Sequence, residues 1–71
     1  MSKRLSFTEA LYLLEDCGTV NAVFDRGTLT CRYEGSFNYS VKGDDYADNY
    51  ASPERLLMDL NDRGAVFYAA D

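Results

Sequence analysis

The stretch Thr19–Lys42, TVNAVFDRGTLTCRYEGSFNYSVK, decides the fold. It holds runs in which apolar and polar residues alternate, and Asp25-Arg26-Gly27 and Gly35-Ser36 separate these runs with residues typical of tight turns. The residues predicted to face inward are Val20, Ala22, Phe24, Leu29, Cys31, Tyr33, Phe37, Tyr39 and Val41. Because alternation with period two gives each strand one apolar and one polar face, the stretch predicts a three-stranded antiparallel meander with a hydrophobic core on one side.

A helix is predicted on each side of this meander. Upstream, Ser6-Phe7-Thr8-Glu9 has the form of a capping box, and apolar residues at helical spacing predict a helix over roughly 7–17, with Gly18 as its stop. Downstream, Ser52-Pro53 is typical of a helix start, and Gly64 is predicted to end that second helix. Each helix has one apolar stripe, so each needs a sheet face to cover it.

Residues 65–70 predict a last strand, which gives the element order α-β-β-β-α-β. The predicted fold class is α+β, a single small domain over residues 1–71, with an antiparallel sheet and two helices packed on one of its faces. Cys17 and Cys31 both fall at positions predicted to face inward. Two cysteines are too few for a disulfide-stapled scaffold, so reduced thiols in a cytosolic protein are expected, and the sequence leaves open whether they bond.

The charge of the chain favours a basic partner. Seven basic against twelve acidic residues give a net charge of −5 at pH 7 (7 − 12 = −5). Such a surface repels nucleic acid and anionic membranes and attracts basic proteins, although the same charge also serves solubility alone. We therefore expect no direct contact with nucleic acid or membrane. Met1–Arg4 leads into a helix rather than an apolar run, which predicts no signal peptide.

The chain lacks the residues on which most catalytic sites depend. It has no histidine, the commonest general base and metal ligand, and no glycine-rich phosphate loop. Asp44, Asp45 and Asp48 are close in sequence but lack the ligand spacing and the glycine of a calcium loop. The prediction is a protein without enzymatic activity, catalytic residues, metal or cofactor. A small metal-dependent enzyme is the alternative, which titration with Ca²⁺ and Mg²⁺ would test.

Residues 43–54, GDDYADNYASPE, show neither a helical nor a strand period and are predicted to form a loop. Carboxylates on an extended chain, which advances about 3.3 Å per residue, present negative charge at a density like that of DNA phosphates, about 3.4 Å apart along one strand. Tyrosines add rigid contact area. The predicted partner-binding residues are Asp44, Asp45, Tyr46, Asp48, Tyr50 and Glu54, extended by Glu34, Asp59 and Asp62. The same composition is also typical of an ordinary solvated loop whose tyrosines pack at the core edge.

In length, α+β plan, negative charge and the stretch DDYADNY at 44–50, the chain resembles the small acidic phage-encoded anti-CRISPR proteins, and among them inhibitors of the type I-C system. The resemblance implies a non-enzymatic inhibitor in the host bacterial cytoplasm. Separately, we expect a monomer rather than an oligomer. Its implied target is a basic CRISPR effector subunit, the Cas8-type large subunit of the surveillance complex, where it would block DNA docking. Two alternatives stay open: a DNA mimic that inhibits a restriction or repair enzyme, and a protein–protein adaptor that uses a sheet edge.

Overall fold

The computed structural model of the protein describes residues 3–25 and 27–70. Its strands are β1 (Arg4–Leu5), β2 (Thr19–Phe24), β3 (Gly27–Gly35), β4 (Asn38–Gly43), β5 (Tyr46–Tyr50) and β6 (Val66–Ala69), and its helices are α1 (Phe7–Glu15) and α2 (Pro53–Asp62). The strands form one antiparallel sheet in the order β1-β6-β2-β3-β4-β5. The α+β class is confirmed. Arg26, part of the predicted first turn, lies outside the described residues.

Both helices begin where the capping residues predict. Ser6 Oγ accepts a hydrogen bond from the Glu9 amide at 3.1 Å, and the Glu9 carboxylate accepts one from the Ser6 amide at 2.9 Å, so the capping box is complete. The hydrogen bonds to Ser6 lower the pKa of Glu9. At the start of α2, Ser52 Oγ accepts from the Arg55 amide at 3.4 Å, with Pro53 in the first turn.

The core lies between the two helices and one face of the sheet. Helix α1 covers β1, β6, β2 and β3, whereas α2 covers β4 and β5, and the helices contact each other. The buried apolar residues are Ala10, Leu14, Val20, Ala22, Cys31, Val41, Leu56, Leu57, Leu60, Ala65 and Phe67. In the middle of the sheet Val20, Cys31 and Val41 are directly paired across three neighbouring strands. The prediction of two helices on one face is confirmed, and the other face is left uncovered by them.

The end of α1 differs from the prediction. The helix ends at Glu15, and Cys17 takes the left-handed conformation (φ 62°) and is exposed, so the prediction that its side chain faces inward is wrong. Gly18 has a different role from the predicted one. A Cβ atom at Gly18 would lie 2.3 Å from Leu13 Cδ1, so the glycine permits close packing beneath Leu13 while the residue before it makes the turn.

The predicted loop at 43–54 is also wrong in its middle, because Tyr46–Tyr50 is strand β5 at the edge of the sheet. Tyr46 pairs with Gly43, Asp48 with Val41, and Tyr50 with Tyr39. These three residues of β5 point to the helix side. A tyrosine–aspartate–tyrosine alternation lacks the aliphatic side chains that make a strand recognisable, which is why the sequence pattern concealed it.

The turn between β3 and β4 falls one residue later than predicted. Ser36 and Phe37 are its central residues, and both have positive φ angles, 52° and 59°. The pairing of β3 with β4 is irregular between Tyr33 and Gly35, which shifts the turn along the chain. Phe37 was predicted to face inward on the third strand, and instead 83% of its surface is exposed at the hairpin tip.

Candidate functional site

The tyrosines of β5 are held by α2 in a polar network. Tyr50 Oη donates a hydrogen bond to Asp59 Oδ2 at 2.5 Å, and Arg63 Nη2 lies 3.4 Å from the same oxygen. Arg63 Nη1 donates to Tyr46 Oη at 3.3 Å, and its guanidinium carbon lies 5.7 Å from the centroid of the Tyr46 ring. Tyr46 and Tyr50 are also half-buried against the core. Both tyrosines and Asp59 therefore fix α2 on β5.

The Tyr50 hydroxyl and the Arg63 guanidinium, which donate the hydrogen bonds of this network, keep their protons at neutral pH. The hydrogen bond to Asp59, together with burial, raises the pKa of Tyr50, so its hydroxyl stays a donor. The hydrogen bond to Tyr46 and the charge of Asp59 raise the pKa of Arg63, which stays a cation. Since the strand and the helix are joined at both ends of β5, the side chains between them are presented on an ordered scaffold.

Five of the remaining predicted carboxylates are exposed along this strand and helix, and we call them the acidic edge: Asp44, Asp45, Asp48, Glu54 and Asp62. The first two form the turn between β4 and β5, and Asp48 lies in mid-strand. Glu54 and Asp62, eight residues apart, both lie on the exposed side of α2, because residues at i, i+4 and i+8 fall on the same side of a helix. Within residues 3–25 and 27–70, none of the five forms an ion pair with Lys or Arg.

Glu34 does not belong to the acidic edge, because β3 places it on the uncovered face of the sheet. There it accepts a hydrogen bond from Ser40 Oγ at 2.8 Å, and Arg32 Nε and Lys42 Nζ lie 3.5 Å and 3.9 Å from its carboxylate. The hydrogen bond from Ser40, with smaller contributions from the two cations, lowers the pKa of Glu34. The structure therefore does not extend the acidic edge to this residue.

Three basic residues lie on the same uncovered face. Strand pairing aligns Arg4, Tyr68, Asn21, Thr30 and Lys42 in one row across the sheet, and each of these residues points away from the helices. Arg32, in the next row, adds a third cation. The acidic edge thus lies along β5 and α2, and α2 also carries Arg55 and ends at Arg63. On the uncovered face, Arg32 and Lys42 both lie within 4 Å of Glu34.

A residue that sequence reasoning missed is Asp25. It lies at the same end of the molecule as Asp44 and Asp45, because antiparallel hairpins place the turn after β2 and the turn after β4 on one side. The two turns and the end of α2 border a shallow groove of about 990 Å³, with Leu29 and Tyr46 in its lining. The predicted three-stranded meander already carried the signal, because it places the turn after its first strand at the same end as the end of its third strand.

The described residues contain no metal-ligand cluster and no disulfide. In residues 3–25 and 27–70 no group of three or more carboxylates or thiols is arranged to hold a metal ion. Both cysteines are free; Cys17 is exposed, whereas burial raises the pKa of Cys31 to about 12. In the part of the chain that the structure describes, neither helix combines the length and apolar character of a membrane span. Comparison with protein-family models, curated proteins and solved structures gave no match.

Proposed function

We propose that the protein is a non-enzymatic inhibitor that mimics DNA and occupies the DNA-binding site of a basic protein. The observation that carries this proposal is the acidic edge, whose five exposed carboxylates form no ion pair with Lys or Arg within residues 3–25 and 27–70. A surface of one sign attracts a surface of the other, and this attraction raises the association rate. The carboxylates would pair with the Lys and Arg side chains that normally hold phosphates.

The network beneath the acidic edge supports this function by pre-organisation. Tyr50, Asp59 and Arg63 fix the strand to the helix, so little conformational freedom is lost when the carboxylates meet a partner. This changes the role that the sequence predicted for Tyr46 and Tyr50. Their hydroxyls are already bonded or in contact within the fold, so we assign them to support of the surface rather than to contact with the partner.

The target that we propose is the CRISPR surveillance complex of type I-C, at its Cas8-type large subunit, in the cytoplasm of an infected bacterium. The support is the resemblance to small acidic anti-CRISPR proteins together with the acidic edge. Occupation of the positively charged DNA channel would stop duplex DNA from docking. The basic groove of a restriction or repair enzyme would fit the same surface, and a binding assay with each purified protein distinguishes these targets.

Charge reversal at the β4–β5 turn tests the proposal. We expect the double variant Asp44→Lys with Asp45→Lys to compete with duplex DNA for the purified type I-C complex roughly 10–100-fold more weakly than the wild type. We also expect the competition by this variant to depend less on salt concentration. The matched control is Glu15→Lys with Asp16→Lys, which changes net charge equally at the exposed end of α1. A gel-shift competition at several salt concentrations measures both. Equal inhibition by the wild type and the turn variant would refute the proposal.

The position of β5 favours a second candidate, an adaptor that pairs its sheet edge with a strand of a partner. β5 is the last strand of the sheet, so one side of its backbone is not paired with another strand of the described structure. However, the Asn49 amide donates to Asp48 Oδ1 at 2.8 Å, so a side chain already occupies one donor of that edge. This makes β5 a poorer template for strand addition, and we rank the adaptor second.

A further inference from the structure

Phe37 is an exposed aromatic residue in a conformation that its side chain disfavours. At 83% exposed, it is the most exposed of the large apolar side chains in the described residues. Its φ angle of 59° and that of Ser36, 52°, are both left-handed, a region that favours glycine and that bulky residues rarely adopt. Exposure of a phenyl ring and a positive φ both cost free energy, so the fold alone gives no reason for phenylalanine here.

The hairpin tip that carries Phe37 is nevertheless well supported. The rings of Tyr33 and Tyr39 lie 4.9 Å apart at the base of the hairpin, and the Tyr33 hydroxyl accepts a hydrogen bond from the Phe37 amide at 3.5 Å. Beside them, Asn38 Nδ2 donates to Asn49 Oδ1 at 3.4 Å. These contacts hold the tip next to the carboxyl end of β5. Phe37 therefore projects at one end of the acidic edge, with Asp44 and Asp45 at the other.

We infer that Phe37 acts as the base-mimicking part of the same surface, its ring entering a site where the DNA-binding partner normally holds a nucleobase. The inference rests on the proposed function, in which the acidic edge replaces phosphates. Proteins hold unstacked bases between aromatic, apolar or guanidinium surfaces, and any flat ring satisfies such a platform. A flat ring at one end of a row of carboxylates presents both parts of a nucleotide, a planar ring and negative charge. Because Tyr46 and Tyr50 are engaged by α2, the aromatic contact with the partner falls to Phe37.

The inference is tested by the dissociation rate from immobilised type I-C surveillance complex, measured by surface plasmon resonance. We expect Phe37→Gly to increase the dissociation rate roughly 30-fold and to change the association rate less than about twofold, as for loss of a buried aromatic anchor. Glycine suits the positive φ, so this variant does not unfold the hairpin, and its melting temperature is measured alongside. The matched control is Tyr12→Ala on α1, 65% exposed in the wild type, which should change neither rate.

Two further variants separate a base mimic from a simple apolar contact. Phe37→Trp keeps a flat ring and should dissociate within about threefold of the wild type, whereas Phe37→Leu keeps apolar area without the ring and should dissociate at least roughly tenfold faster. If the leucine variant dissociates like the wild type, the site is not one that stacks a base and the inference is overturned. An unchanged dissociation rate for Phe37→Gly also overturns it.

The outcomes distinguish this inference from the proposed function. If Asp44→Lys with Asp45→Lys abolishes DNA competition while Phe37→Gly binds normally, the acidic edge mimics DNA without an aromatic anchor, and only this inference fails. If the charge variant has no effect, or if the wild type does not bind the complex, both proposals fail.

Discussion

The two cysteines lie in different environments, although helical and strand spacing predicted that both side chains face inward. Cys31 lies fully buried between Val20 and Val41, and burial raises its pKa to about 12. Cys17 follows α1 in an exposed turn. We predict that one thiol per native chain, Cys17, reacts with a thiol reagent such as DTNB at pH 8, and that a second reacts only in denaturant. Cys17→Ser should remove the native reaction, and fast reaction of both native thiols would contradict the burial.

The raised pKa of Cys31 also predicts a dependence of stability on pH. In the unfolded chain this thiol loses its proton near its ordinary pKa of 9.0, whereas in the folded chain it keeps the proton until about pH 12. The folded state then binds more protons, so the free energy of unfolding falls as pH rises through this interval. Urea unfolding at pH 8, 9 and 10 measures the slope. Cys31→Ala should flatten it relative to the wild type, and equal slopes would show that Cys31 is not the titrating group.

The sequence predicted a helix or strand correctly where residues close in sequence define it. Ser6 and Glu9 form a capping box that needs no distant partner, and Ser52 with Pro53 does the same for α2. The prediction missed β5, because the side chains of this strand that face inward do so only through tertiary packing. Tyr46 and Tyr50 become inward-facing only when α2 covers them, and α2 is held there by Asp59 and Arg63, whose role no local pattern reveals.

The join between β5 and α2 gives a stability prediction. Tyr50→Phe removes the hydrogen bond to Asp59 and leaves the packing of the ring, so we expect a loss of about 1 kcal/mol, because the carboxylate is partly exposed to water. For a domain of this size that corresponds to a decrease in melting temperature of about 4–8 °C. Thermal unfolding by circular dichroism measures it. Tyr12→Phe, at an exposed position on α1, is the control, and equal stability of the two variants would mean that the bond contributes nothing.

For the molecule as a whole, composition predicted the net charge but not how the charged residues are distributed over the surface. Glu34 and Asp59 counted toward the predicted acidic surface, yet Glu34 lies on the uncovered face with Arg32 and Lys42, and Asp59 is paired with Arg63. Among the described residues, strand order and the face that a residue occupies decide which carboxylates have no cation within ion-pair distance. Asp44, Asp45 and Asp48, grouped by sequence alone, stayed together because they share one turn and one strand.

Strand order also separates the two candidate functions. The Asn49 amide donates to its neighbour's side chain and so points away from β4, and the amide of Ala47, two residues earlier, points the same way. Ala47→Pro therefore removes a donor from the free edge without breaking the ladder to β4. We predict that this variant keeps its fold within about 1 kcal/mol in urea unfolding and competes with DNA for the type I-C complex like the wild type.

If the partner instead adds a strand to β5, proline at Ala47 blocks the pairing, and competition is lost while the fold is retained. The charge variant at Asp44 and Asp45 gives the opposite pattern, because strand addition depends chiefly on backbone hydrogen bonds and only weakly on the turn. Measured side by side at low and high salt, the two variants assign binding to the carboxylates or to the backbone of the same edge. Loss of competition in the proline variant, with the charge variant unaffected, would make the protein an adaptor.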